Sequence, residues 1–139
     1  MGYDLYRDHL NTPAFFNILP PVGGLKGIDI GCGEGHNTRL LAAKGARLTA
    51  IDVSETFINE AIKEEERNTF GIEYKVASAT SLPFADRQFD FATSYMCLMD
   101  VPDASLAIRE AFRVLRPGGF FQFSISHPCF NTSYRRNLR

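Results

Sequence analysis

Gly27 to Gly35 reads GIDIGCGEG. A short apolar run carrying one aspartate breaks into three glycines spaced two apart, the pattern of a strand that stops abruptly and hands over to a helix. The rest of the chain repeats that alternation. Residues 26–31 predict a strand, and 36–44 a helix stopped by Gly45. RLTAID at 47–52 predicts a second strand ending in an acid. Ser54 suits an N-cap, with Glu55 favourable in the first turn, and Phe57, Ile58, Ala61 and Ile62 recur at helical spacing. IEYKV (72–76), after Gly71, and FDFATS (89–94) supply the third and fourth strands. Asp103 can cap a helix with Ile108, Ala111, Phe112 and Leu115 on one face, which RPGG at 116–119 terminates. GFFQFSIS (119–126) is a fifth strand, apolar enough to be buried on both faces. Strands alternating with helices imply right-handed crossovers and a parallel, doubly wound, Rossmann-like α/β sheet. Residues 1–24, with Thr12, Pro13 and PPVGG at 20–24, read as a short helix and linker, and 25–139 as the domain.

Composition removes several classes. The 139 residues make one small domain, and 45% hydrophobic residues suffice for one core. A net charge of −1 gives no pull towards nucleic acid or an anionic membrane. No apolar run approaches the roughly 20 residues of a membrane span, and the start, MGYDLYRDHL, is polar and acidic where a secretory signal is basic and then apolar. Cys32, Cys97 and Cys129 are odd in number and form no CxxC pair, which predicts reduced thiols and a cytoplasmic protein. No His, Cys and acid cluster has metal spacing. EEER at 64–67 and the arginines at 135–136 read as solvated surface.

The loop itself selects among ligands. A Walker loop requires GxxxxGK followed by Ser or Thr, which does not occur. Gly31 and Gly33 fit the first two positions of the dinucleotide fingerprint GxGxxG, but the third falls on His36, and the glycine comes one place early at Gly35. That displacement disfavours a pyrophosphate, and with it an NAD(P)-dependent oxidoreductase. The loop still stands at the carboxyl end of the first strand, where open parallel sheets bind ligands, and the following helix offers N–H groups to a carboxylate. Asp29, just before the loop, attracts an ammonium or sulfonium. Asp52 ends the second strand, where an acid suits ribose hydroxyls. Carboxylate, ammonium, sulfonium and ribose together describe S-adenosylmethionine.

On these residues the chain resembles the class I S-adenosylmethionine-dependent methyltransferases, particularly their small-molecule type 11 branch. The motifs are DIGCGEG (29–35), AIDVS (50–54), SLPFADRQFD (81–90) and REAFRVLRPGG (109–119), so the resemblance covers about Leu25 to Ser126. It implies a sheet ordered 3-2-1-4-5. It also implies Gly31, Gly33 and Gly35 against the methionyl and sugar parts of the cofactor, Asp29 near its amino group, Asp52 on the ribose and Val53 beside the adenine. Ser94 and Tyr95 would border the sulfonium. Where the family usually carries an acid for the adenine amino group, this chain has Ala77-Ser78-Ala79. Ser78 keeps an acceptor without charge, and a weaker grip on adenine follows. The family's sheet continues through two further strands that this chain lacks, so it reads as a C-terminally truncated form or fragment. A bare fifth strand would then be covered by self-association into a homo-oligomer.

Methyl transfer from a sulfonium needs chiefly an aligned nucleophile in a dry pocket, with a general base only for a protonated acceptor. Asp100 and His127 are the candidates near the expected mouth. Tyr3, Tyr6 and His9 could form a lid. Cys32 and Cys97 read as small core fillers; SYMC around Cys97 matches neither the cytosine-modifying nor the amino-methylating nucleic-acid pattern. The expected activity is methyl transfer to a small molecule, with a degenerate cofactor-binding fragment as the alternative.

Overall fold

The computed structural model describes residue 5 and residues 7–126 of the chain. His127, Cys129, Tyr3 and Tyr6 lie outside the described residues. A π-helical turn, Arg7–Asn11, leads into α1, Thr12–Asn17, with Pro13 in its first turn, where the missing N–H costs nothing. Then come β1 (Lys26–Ile30), α2 (His36–Ala43), β2 (Arg47–Asp52), α3 (Glu55–Arg67), β3 (Glu73–Val76), β4 (Phe89–Tyr95), α4 (Ala104–Val114) and β5 (Leu115–Ser124). All strand pairs are parallel, and the order is β3-β2-β1-β4-β5. The order implied by the motifs is the order found.

Both predicted caps form. Ser54 Oγ accepts the Phe57 N–H, and Asp103 Oδ1 accepts the Leu106 N–H, each satisfying one orphan donor of its helix. The sheet separates two apolar layers. Ile28, Ile30, Ala92 and Phe89 pack against α4 through Ala107, Ala111 and Val114. Leu48, Ala50 and Phe91 pack on the other side against Leu41 of α2 and Ile58 and Ala61 of α3. With helices on both faces, the ligand-accessible edge of the sheet is its carboxyl end, the ends of β1, β2 and β4.

The fifth strand departs from expectation. Its partners along β4 jump from Phe89↔Leu115 to Phe91↔Phe120, so Arg116 to Gly119 bulge out opposite Asp90, with Gly118 left-handed. RPGG is therefore a bulge within β5 rather than a turn before it. Nor is the strand buried on both faces: Phe123 is 43% exposed, and Leu115 is its one buried residue. Hydrophobicity predicted burial; position at the sheet edge decided otherwise.

Candidate functional site

The glycine loop is fixed from below. The Gly31 and Cys32 N–H groups both donate to the Ile51 carbonyl, at 2.8 and 2.9 Å. Asp52 continues the scaffold. Its Oδ2 accepts the Gly33 N–H at 2.9 Å, its Oδ1 accepts the Ser54 N–H at 2.9 Å, and its carbonyl accepts the Ala77 N–H at 3.0 Å. One residue thus ties together the loops after β1, β2 and β3. Each carboxylate oxygen keeps lone-pair capacity for a further donor.

Asp29 lies deeper, 3% exposed. Its Oδ2 accepts from Thr38 Oγ1 of α2 at 2.6 Å and its Oδ1 from Thr93 Oγ1 of β4 at 2.9 Å. Burial pushes its carboxyl above the ordinary value, against the pull of the two hydroxyls.

Above this scaffold lie two joined cavities. The larger, about 420 Å³, is lined by Asp52, Val53, Ala77, Ser78 and Ala79 on the β2–β3 side. Met96, Cys97, Asp100, Val101 and Pro102 close it on the β4 side. The smaller, about 270 Å³, is more polar and is lined by Asp29, Glu34, His36, Asn37, Tyr95 and Arg7. Gly31, Gly33 and Phe57 border both. Gly33 leaves the floor open, since a Cβ built there meets no atom within 4 Å.

Most of the sequence-predicted residues meet at this cleft: Asp29, Gly31, Gly33, Asp52, Val53, Ser78, Ala79, Tyr95 and Asp100 all line it. Gly35 and Ser94 do not. Gly35 caps α2 in a left-handed conformation with the Tyr74 hydroxyl packed where its Cβ would stand, so its need for glycine is internal. Ser94 is fully buried, and its Oγ makes no hydrogen bond, although it lies close enough to the Cys97 thiol to weigh on its acidity. Ser78 spends its hydroxyl locally, 2.8 Å from Thr80 Oγ1.

Cys97 is not a core filler. It forms part of the larger cavity's wall, and its sulfur occupies the place a Gly31 side chain would take. Burial pushes its thiol above the ordinary value. Cys32 does pack on the core, while also reaching the smaller cavity. His9 lines neither cavity; among the described residues of the leading segment, Arg7 does. Burial and then the Arg7 charge hold the His36 imidazole below its usual value.

Sequence reasoning missed Phe57, Met96 and Arg7 as site residues. Helical spacing groups Phe57 with Ile58, Ala61 and Ile62, which hides its place at the cleft. Met96 adopts φ +52, held by the Ser124 carbonyl and hydroxyl, at 3.0 and 3.1 Å, on its N–H. A non-glycine residue in that region is uncommon, and nothing in the sequence announces it.

A methyltransferase-domain family model of type 11 matches residues 28–123. The ubiquinone/menaquinone biosynthesis C-methyltransferase of Bartonella bacilliformis is 37% identical over 126 residues, 87% of this chain and 48% of that protein. The ubiquinone biosynthesis O-methyltransferase of Pseudomonas fluorescens is 36% identical over 104 residues, 74% of this chain and 45% of that protein. A solved S-adenosylmethionine-dependent methyltransferase from Mesorhizobium loti matches with a TM-score of 0.77 at 36% identity, over 84% of this chain and 53% of that one. The chain spans about half the length of the curated relatives it matches.

Proposed function

Given that the chain belongs to the class I S-adenosylmethionine-dependent methyltransferases, we propose that it transfers a methyl group from S-adenosylmethionine to a small-molecule acceptor. The observation that carries this reading is the glycine-floored cleft at the carboxyl ends of β1, β2 and β4, with Asp52 at its centre.

The residues present fit that cofactor. Asp52 retains acceptor capacity for ribose hydroxyls, and Val53, Ala77 and Ala79 give the larger cavity apolar walls for a nucleobase. Ser78 adds a hydroxyl already engaged with Thr80, which supports a loose hold on the adenine amino group. At the other end, α2 begins at the smaller cavity with no side chain capping it, which suits a carboxylate. Asp29 lines the same cavity beside it, which suits an amino group. Tyr95 and Met96 fall on opposite cavities, so the chain crosses from one to the other at the end of β4.

When bound, the cofactor would supply a methyl group on a positively charged sulfur whose departure leaves a neutral thioether. The chain's part is then to align the acceptor and keep water out. Exposed Asp100 at the edge of the larger cavity can take a proton from an acceptor that carries one. His127 is the other candidate base and lies outside the described residues. The two named relatives methylate at carbon and at oxygen, and this chain is similar to both.

Among the described residues no helix is long and apolar enough to cross a membrane, and no group of His, Cys and acids could hold a metal. We infer a cytoplasmic protein, which the free thiols of Cys32 and Cys97 among the described residues support, and self-association along β5.

Calorimetry with S-adenosylhomocysteine and with NAD tests the cofactor. Binding of the first alone is expected; binding of NAD alone would overturn the assignment in favour of an oxidoreductase. The Asp52→Ala variant should lose about 1–3 kcal/mol of S-adenosylhomocysteine affinity, the scale of charge-assisted hydrogen bonds, and an unchanged dissociation constant would remove Asp52 from the ribose. A tritiated-methyl assay over metabolite pools then separates an enzyme from a cofactor-binding fragment. The engaged Ser78 hydroxyl favours that second reading, and absence of transfer beside intact S-adenosylhomocysteine binding would count towards it.

A further inference from the structure

We propose that Phe57 roofs the waist between the two cavities and clasps a ligand that occupies both. The inference rests on the cofactor reading above and assigns a positioning residue to it.

Three residues border both cavities, Gly31, Gly33 and Phe57. The two glycines bring no side chain, so the waist has a backbone floor and one aromatic wall. Phe57 is 45% exposed while its helical neighbours Ile58 and Ala61 are buried, at 3% and 0%. The helix is therefore anchored through other residues, and the Phe57 ring is spared for the cleft. Its backbone is fixed as well: the Phe57 N–H donates to Ser54 Oγ at 3.3 Å, and the Ser54 N–H donates to Asp52. An aromatic ring on an anchored backbone, bordering the same waist as bare glycine backbone, can clamp something thin.

The two cavities differ in character. The larger is walled mainly by apolar side chains, with the carboxylates of Asp52 and, at its edge, Asp100, whereas the smaller carries Arg7, Asp29, Glu34 and His36. A ligand filling both has an apolar, hydroxylated end and a charged, zwitterionic end, with its connecting atoms at the waist. An aromatic ring there excludes water, and its face attracts a positive centre placed at the waist.

The test compares a ligand that spans the waist with one that stops short of it. S-adenosylhomocysteine is the spanning probe and adenosine the short one, each titrated calorimetrically into wild type, Phe57→Ala and Phe57→Leu. Removing the ring should weaken S-adenosylhomocysteine about tenfold or more, the scale of one buried aromatic side chain. Adenosine should lose several times less, and leucine should give an intermediate result. Because the ring is half exposed, the alanine variant should melt within a few degrees of wild type; the leucine variant, which keeps apolar bulk, decides the matter should alanine unfold. Equal losses for both ligands would make Phe57 a wall of one cavity, and no loss would make it plain surface. Either result overturns the clasp while leaving the cofactor reading intact. Wild type that binds no S-adenosylhomocysteine would overturn both.

Discussion

A buried carboxylate such as Asp29 is expensive unless its charge is met by donors, and here two threonine hydroxyls, from α2 and β4, meet it. Its acidity is nevertheless weakened by burial. The folded state holds the proton more tightly than the unfolded chain, so charged Asp29 costs stability at neutral pH. That cost shrinks as pH falls through the raised folded value towards the ordinary one. Asp29→Asn lacks this dependence. In urea melts at about pH 7 and about pH 5, wild type should therefore gain stability relative to Asp29→Asn at the lower pH. A constant gap would mean that Asp29 titrates normally. Thr93→Val removes one donor from the buried acid and should cost about 1–3 kcal/mol. The acid was legible in the sequence because it stands next to the glycines. Its partners were not, since Thr38 and Thr93 become neighbours only once α2 and β4 are packed against β1. Cys97 was misread for a similar reason: it looked like filler until the fold placed its sulfur over Gly31.

At the scale of elements, two of the four motifs behind the family resemblance serve the scaffold. Glu110 and Arg113 of α4 come from REAFRVLRPGG and hold SLPFADRQFD in place. Arg113 donates to Glu110 at 2.8 and 2.9 Å, to the Phe84 and Leu82 carbonyls at 2.8 and 3.0 Å, and to Asp86 at 2.8 Å. Glu110 also accepts the Leu82 N–H at 2.8 Å. This uses all five donors of the guanidinium. Arg113→Met should lower stability by about 1–3 kcal/mol in urea melts and leave S-adenosylhomocysteine affinity within about twofold. A selective loss of binding would show that the Arg113 network shapes the cleft. The leading helix is a different attachment. Phe15, 5% exposed, sets its ring edge-on to Tyr95 at 5.4 Å, and the Phe15 carbonyl accepts from Gln122 Nε2 at 2.7 Å. Phe15→Ala should cost about 3 kcal/mol and speed amide exchange in residues 12–17 ahead of the strands. Unchanged exchange there would mean that other contacts hold α1. The caps at Ser54 and Asp103 were readable because capping is local. The docking of α1 was not, because it depends on residues about eighty and more than a hundred positions away.

Among the described residues the sheet carries helices on both faces and ends in two edge strands, β3 and β5. The alternation of strands and helices sufficed to predict all five strands. What it misjudged is the burial of the fifth strand: Phe123, and Ile125 just past its end, are 43% and 49% exposed. Burial is set by what stands beside a strand, which its own sequence does not contain. Among the described residues β5 pairs with β4 alone, leaving backbone N–H and C=O groups and apolar side chains on the same edge, a combination that favours pairing with a second copy. Phe112 of α4, 64% exposed, adds a further apolar side chain. Sedimentation velocity should therefore show mass rising with protein concentration. Phe123→Lys should suppress that rise, since a charge on an edge strand opposes edge-to-edge pairing. The same variant should bind S-adenosylhomocysteine as wild type does, because Phe123 lines neither cavity. A wild-type protein that stays monomeric at every concentration would show the edge to be tolerated bare. Loss of ligand binding in Phe123→Lys would show instead that the edge supports the Met96 turn through its neighbour Ser124.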